Sequence, residues 1–73
     1  MEYDVINEID NLQEKKFYRL AFLRKLEDER KEYVKVDEEL FKEKIYITEA
    51  MIENILNQLD EIDEEILKLE QLL

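Results

Sequence analysis

The side chains that could carry chemistry in this chain are mostly carboxylates, with a short run of cations. Its 73 residues contain no Cys, His, Ser or Gly, and the only Thr is Thr48. Catalytic triads, thiolate nucleophiles and His-dependent acid–base catalysis are therefore excluded within one chain. A Gly-rich phosphate-binding loop cannot be built either. The sequence predicts that the protein is not an enzyme and binds no cofactor.

The densest group of carboxylates lies between Asp60 and Glu65, where five of six residues are acidic. This run lacks the glycine that an EF-hand loop needs for its sharp turn. It also falls within a regular helical repeat, where neighbouring side chains point in different directions. Di-iron helical bundles use a Glu-x-x-His motif, which a chain without His cannot supply. We expect a solvated helix face here and no metal site.

A basic segment with interspersed aromatic residues runs from Lys15 to Leu26, with five Lys or Arg residues and no acid. Such a pattern can indicate binding to nucleic acid or to a membrane surface. On a helix, however, these cations spread around the circumference. The net charge of −10 also repels phosphate. Pairing with the acidic second half of the chain is the simpler interpretation, so we expect no direct nucleic-acid binding.

The overall composition points to one domain, residues 1–73, made of long helices. Gly and Pro are absent, and hydrophobic and charged residues make up 45% and 44% of the chain. No apolar run approaches the roughly 18 residues that span a bilayer, and the acidic N-terminus does not resemble a signal peptide. These features predict a cytoplasmic protein that is not bound to membranes.

The most regular pattern lies between residues 45 and 73. Its apolar residues recur at spacings of three and four, which is the a/d seam of a coiled coil over four heptads. Thr48 is the only polar residue in this seam, where it either sets the register or marks the end of the helix pair. The seam consists of Ile45, Thr48, Ile52, Ile55, Leu59, Ile62, Ile66, Leu69 and Leu73.

The first half has a less regular apolar stripe. We expect a helix from about residue 4 to about residue 32, with Asp4 as its N-cap. On a straight helix Leu26 drifts away from this stripe and Tyr33 lies well outside it, while Lys16 interrupts its heptad positions. The stripe consists of Val5, Ile6, Ile9, Leu12, Phe17, Leu20 and Leu23.

A turn near residues 34–37 is favoured over one continuous helix. The two apolar stripes are out of phase, and basic residues give way to acidic ones there, as at a helix end followed by a helix start. Asp37 can serve as an N-cap, with Val36 and Phe41 spaced as a hydrophobic staple. The predicted fold is all-α, a two-helix antiparallel coiled-coil hairpin (about 4–32 and 38–72). The alternatives are a single rod and a short β-hairpin in the 33–48 region.

A fold at residue 36 would bring Leu20 and Leu23 beside Ile52 and Ala50, and Phe17 beside Ile55. Some apolar residues lie off both stripes, and on so small a protein they usually mark an interface. We expect them either to pack inside a four-helix bundle formed by two hairpins or to dock a different protein. This set, the Met51 surface, consists of Tyr18, Phe22, Leu40, Ile47 and Met51.

The sequence therefore predicts a non-enzymatic helical interaction protein, an adaptor, assembly factor or small regulator, that acts as a homo-oligomer, with a dimer favoured. A protein partner of unknown identity is also expected. The alternative is an acidic inhibitor that mimics nucleic acid in another protein's binding groove. Residues 37–73 carry twelve acids against three lysines, a net charge of −9, and a strongly anionic rod can imitate a phosphate backbone.

Overall fold

A computed structural model of the chain describes residues 2–73. It contains two helices, α1 (Glu2–Asp37) and α2 (Lys42–Glu70), which pack against each other as a hairpin. The residues it describes include no strand, so the β-hairpin alternative is wrong. The chain turns back between the helices, so the continuous rod is also wrong.

The seam of α2 faces α1 as its spacing predicts. Six of its nine residues are buried, Ile52 and Leu69 are half-buried, and only Leu73 is exposed. Thr48 is 6% exposed, and its hydroxyl donates to the carbonyl oxygen of Lys44 at 2.7 Å. Because that bond lies within α2, the hydroxyl adds no cross-helix constraint on the register.

The seam of α1 differs from the predicted stripe. Leu26, expected off the stripe, is the most buried of the hydrophobic core residues at 3% exposure. Phe17 and Leu20, expected to face α2, are 67% and 38% exposed. The physical reason is that a heptad frame drifts by about 20° per seven residues on a straight helix, so a fixed stripe leaves the seam. The buried and half-buried residues of α1 form the observed seam: Val5, Ile9, Leu12, Lys16, Arg19, Leu23, Leu26, Glu29 and Tyr33.

Both helix boundaries near the turn lie later than predicted. Asp4 is inside α1, and α1 continues to Asp37, so neither the Asp4 cap nor the end near residue 32 is correct. No Gly or Pro stops the helix after residue 32. The prediction of Asp37 as the N-cap of α2 is wrong, because Asp37 ends α1 and Phe41 occupies the N-cap position without a side-chain cap bond. Asp37 Oδ1 instead accepts the backbone N–H of Leu40 at 3.1 Å within the turn. The regular bonds of α2 begin only where Ile45 N–H donates to the Phe41 carbonyl at 2.8 Å.

The turn, residues 38–41, needs no glycine. No described residue has a positive φ, so the chain reverses with backbone conformations that any non-glycine residue can adopt. The backbone N–H of Phe41 donates to the carbonyl oxygen of Asp37 at 3.1 Å. This bond, between residues four apart, closes the turn. The absence of Gly from the sequence is therefore compatible with a tight connection between helices.

An aromatic pair covers the turn. The rings of Tyr33 and Phe41 have centroids 5.2 Å apart, and the Lys44 ammonium lies 5.9 Å and 5.7 Å from them. The predicted staple partner Val36 is instead 62% exposed, because α1 continues past it and Tyr33, one turn earlier, points toward α2. Both the ring contact and the cation over it favour the closed turn.

Replacing Phe41 with Ala is expected to lower the free energy of unfolding by about 1–2 kcal/mol, since it removes the ring contact and one cation–π partner. Thermal unfolding followed by circular dichroism measures this change. Tyr46→Ala is the control, because Tyr46 is 74% exposed and its loss should change stability by less than about 0.5 kcal/mol. Equal effects of the two substitutions would contradict a role for the aromatic pair.

The register between the helices follows from two ion pairs, Lys16–Asp63 and Arg30–Glu49. In each, the two residue numbers add up to 79, whereas a turn at residue 36 requires 73. The predicted pairings are therefore shifted by six residues, and Leu23 packs with Leu26, Ile55 and Leu59 in the core. Six residues along a helix are about 9 Å. Phe22 and Met51, expected side by side, are offset along the axis by about this distance.

Candidate interaction surfaces

Two long cations occupy seam positions in the middle of α1. Lys16 Nζ lies 2.7 Å from Asp63 Oδ1, and Arg19 Nε donates to Gln58 Oε1 at 2.8 Å. Opposite them, Ile62 stays only 7% exposed. The aliphatic stems of the two cations therefore cover the α2 seam while their charged ends reach out on either side of the hairpin.

Replacing Lys16 with Met is expected to raise the free energy of unfolding by about 1 kcal/mol. Its ion pair is half-exposed and contributes little, whereas an apolar seam residue adds burial. Chemical denaturation measures the change, with Lys15→Met as the matched control at an exposed position. A loss of 1 kcal/mol or more in Lys16→Met would show instead that the Lys16–Asp63 pair holds the helices together.

All five residues of the Met51 surface are exposed in the single hairpin, from 38% for Phe22 to 72% for Leu40. Met51 is seven residues from Gln58, and Phe22 is three residues from Arg19. Positions so spaced share a helix face, so this surface lies on the side crossed by the Arg19–Gln58 bond. Leu40 belongs to the turn and lies at the end of the hairpin.

The opposite side carries a second apolar surface that the sequence reasoning missed. Leu56 lies seven residues from both Glu49 and Asp63, so it shares the side crossed by the two ion pairs. On α1, Leu20 follows Lys16 by about one helical turn and therefore lies on this side. Phe17, three residues before Leu20, lies on the same side. We call this the Leu56 surface, and its residues, 38–67% exposed, are Phe17, Leu20, Leu56 and Leu67.

The signal that could have revealed the Leu56 surface is a second heptad beside the α2 seam. Glu49, Leu56 and Asp63 are spaced by seven, and Leu67 follows by four. The prediction instead placed Phe17 and Leu20 in the core, because a helix with apolar residues on several sides offers more than one stripe. The correct stripe was not identified because the charged residues Lys16 and Arg19 occupy two of its positions.

Charge is unevenly distributed over the Leu56 surface. Its α1 half continues from Phe17 and Leu20 to Arg24, Glu27 and Lys31, whose charges are mixed, and its α2 half is otherwise acidic, with Glu49, Glu53, Asp60 and Asp63. A shallow groove between the helices brings Lys31 close to Glu49 and Arg30. Within residues 2–73, neither Arg24 nor Glu53 takes part in an ion pair. Arg24 on α1 and Glu53 on α2 therefore lie on the same side of the hairpin without an ion-pair partner in residues 2–73.

The carboxylates do not converge on one point. In the described part of the chain, no three acidic side chains are placed to hold a metal ion. The acids of residues 60–65 follow the helix, where only Ile62 is buried and the rest are exposed. Neither helix, over residues 2–73, has a stretch long and apolar enough to cross a bilayer.

Comparison of the chain with protein-family models, with curated proteins and with solved structures finds no significant match in any of the three.

Proposed function

We propose that this protein is a non-enzymatic helical interaction protein that acts as a homo-oligomer, with two hairpins forming a four-helix bundle. The observation that carries the proposal is the surface left exposed by one hairpin. Its accessible area is 6072 Å², whereas a compact 9.0 kDa monomer exposes roughly 4,900 Å². The excess, about 1,200 Å², is larger than the roughly 800 Å² that each partner buries in a standard interface.

Burial within the hairpin supports the same proposal. In the part of the chain that the structure describes, no large side chain is fully buried, and sixteen large hydrophobic residues are exposed against seven in the core. Two helices bury only one stripe of each, so apolar flanks remain in water. A second hairpin covers such flanks in four-helix bundles, and a patch of this kind on a small protein usually marks an interface.

Sedimentation equilibrium of the full chain at micromolar concentration tests the proposal. We expect a mass of twice 9.0 kDa. A strict monomer across the micromolar range would overturn the proposed function, because neither lateral surface would then bind a copy.

A second candidate function, an acidic inhibitor that mimics nucleic acid, is favoured by the exposed acids of α2. Of the described acids of α2, only Glu49 and Asp63 have ion-pair partners, and the remainder form an anionic side. The double substitution Glu61→Gln and Glu64→Gln removes charge at exposed positions outside both the seam and the Leu56 surface. Under this alternative it should release a nucleic-acid-binding partner while oligomer mass stays unchanged. Unchanged partner binding would exclude it.

A further inference from the structure

The two lateral surfaces differ in how well they fit a copy of themselves. We propose that the Leu56 surface docks a second copy of this chain with both turns at the same end of the bundle, so that α1 of one hairpin lies against α2 of the other. The Met51 surface then stays on the outside of the dimer. This inference rests on the proposed function and specifies the surface and the orientation through which it is carried out.

The apolar residues of the Leu56 surface interleave in this orientation. In the observed register, residue n of α1 lies beside residue 79 − n of α2 to within about two residues, because both ion pairs add up to 79 and the Arg19–Gln58 bond adds up to 77. Leu56 is therefore level with residue 23 of α1, and Leu67 with residue 12. When the hairpins point the same way, these levels are preserved across the interface. Phe17 and Leu20 of one hairpin then fall between the partner's Leu56 and Leu67.

The charges of the Leu56 surface match in the same orientation. The partner's Glu53 is level with residue 26 of α1, two residues from Arg24. Neither Arg24 nor Glu53 makes an ion pair within residues 2–73 of its own hairpin. Glu27, seven residues after Leu20, lies on this stripe with Asp28 beside it, and both line a shallow groove with Arg24 and Lys31 of their own helix, so the charge of the α1 half is mixed. Complementary charges of this kind favour one orientation over others.

The opposite orientation, with the turns at opposite ends, brings each helix against its own copy. The acidic half of the Leu56 surface would then face itself, with Asp60 and Asp63 near the partner's same residues. Like charges brought together in an interface disfavour that pairing. The same-end orientation avoids this because it opposes the α1 half to the acidic α2 half.

The Met51 surface does not fit a copy of itself in either orientation. Its aromatic residues, Tyr18 and Phe22, lie at levels 18 and 22, whereas Ile47 and Met51 lie level with residues 32 and 28. In the same-end orientation the aromatic pair would face the polar Gln58 and Glu61 of the copy. In the opposite orientation no single axis superposes both apolar halves. This mismatch leaves the Leu56 surface as the one that a copy can cover.

The surface assignment is tested with two matched pairs of substitutions, Phe17→Asp against Phe22→Asp and Leu56→Asp against Met51→Asp; Tyr18 is not used because its ring packs against that of Phe17, with centroids 5.8 Å apart. All four positions are exposed in the hairpin. We expect Phe17→Asp and Leu56→Asp to weaken dimerisation by at least about a hundredfold, measured by sedimentation equilibrium. Phe22→Asp and Met51→Asp should change it by less than about threefold. The reverse order, or equal losses in all four, overturns the assignment.

The orientation is tested by charge reversal at two exposed sites. Arg24→Glu and Glu53→Arg each oppose like charges and should weaken dimerisation by about three- to tenfold. In an equimolar mixture of the two variants, a same-end dimer of one with the other has both charge pairs matched, so we expect wild-type affinity. No recovery on mixing overturns the same-end orientation. A wild-type monomer, in contrast, would overturn the proposed function itself.

Discussion

Replacing Leu59 with Asp is expected to abolish the folded hairpin. Leu59 is 7% exposed and packs with Leu23, Leu26 and Ile55. The change removes a buried side chain and places a carboxylate where water is excluded, which costs more than about 4 kcal/mol. A core of this size contributes only about 3–5 kcal/mol in total. We expect the helical circular-dichroism signal to fall to that of an unfolded chain, and the cooperative thermal transition to disappear.

Leu72→Asp is the matched control for this experiment, because Leu72 follows α2 and is 68% exposed. It should retain the helical signal and shift the free energy of unfolding by less than about 0.5 kcal/mol. A cooperative transition in Leu59→Asp would mean that the seam does not form the core.

Dilution of the wild-type protein is expected to reduce its helical content. The hairpin alone buries no large side chain fully in the described residues, so much of its stability is expected to come from the second copy. Folding linked to association makes the unfolding temperature depend on protein concentration. We expect the midpoint of thermal unfolding to fall steadily as the protein is diluted from high micromolar to nanomolar concentration, and helicity at 25 °C to decrease with it.

The surface variants provide the internal control for the dilution experiment. Leu56→Asp should need a higher concentration than wild type to reach the same helicity, whereas Met51→Asp should follow the wild-type curve. A wild-type melting temperature that stays constant over this range would show that the single hairpin is stable by itself. That result would contradict the linkage between folding and association.

The sequence predicted α2 well because its seam has one interpretation. From Ile45 to Leu69 every a and d position is apolar except Thr48, and all of these positions are buried or half-buried. The other sides of α2 are mostly polar, so a wrong frame would expose the Ile and Leu residues of the seam. Only Leu73, beyond the last helical residue Glu70, falls outside this pattern.

The sequence predicted α1 less well because its apolar residues lie on several sides. Phe17 and Leu20 belong to the Leu56 surface and Leu26 to the core, the opposite of the expected assignment. Propensity alone could not settle this, since the true seam includes Lys16 and Arg19, whose stems cover apolar residues while their charges reach water. Packing against α2 determines which stripe of α1 is buried. The apolar pattern of α1 taken alone does not contain that information.

The position of the turn explains the remaining error in the candidate site. The predicted members of the Met51 surface are all exposed, but a turn at residues 38–41 instead of 34–37 offsets its two halves along the axis. Asp37 supplies a side-chain bond to Leu40 at 3.1 Å in either arrangement, so capping chemistry could not distinguish them. The ring contact of Tyr33 with Phe41 does not distinguish them either, whereas the ion pairs Lys16–Asp63 and Arg30–Glu49 require the later turn.

The slender shape of the hairpin affects how its size is judged in solution. The Cα atoms extend 55 × 15 × 11 Å, and the radius of gyration is 16.6 Å, against about 11 Å for a compact domain of this length. A rod of these proportions has a large Stokes radius and a high frictional ratio. One copy alone will therefore elute from a sizing column like a heavier sphere, and two copies side by side will deviate less, because pairing thickens the rod without lengthening it.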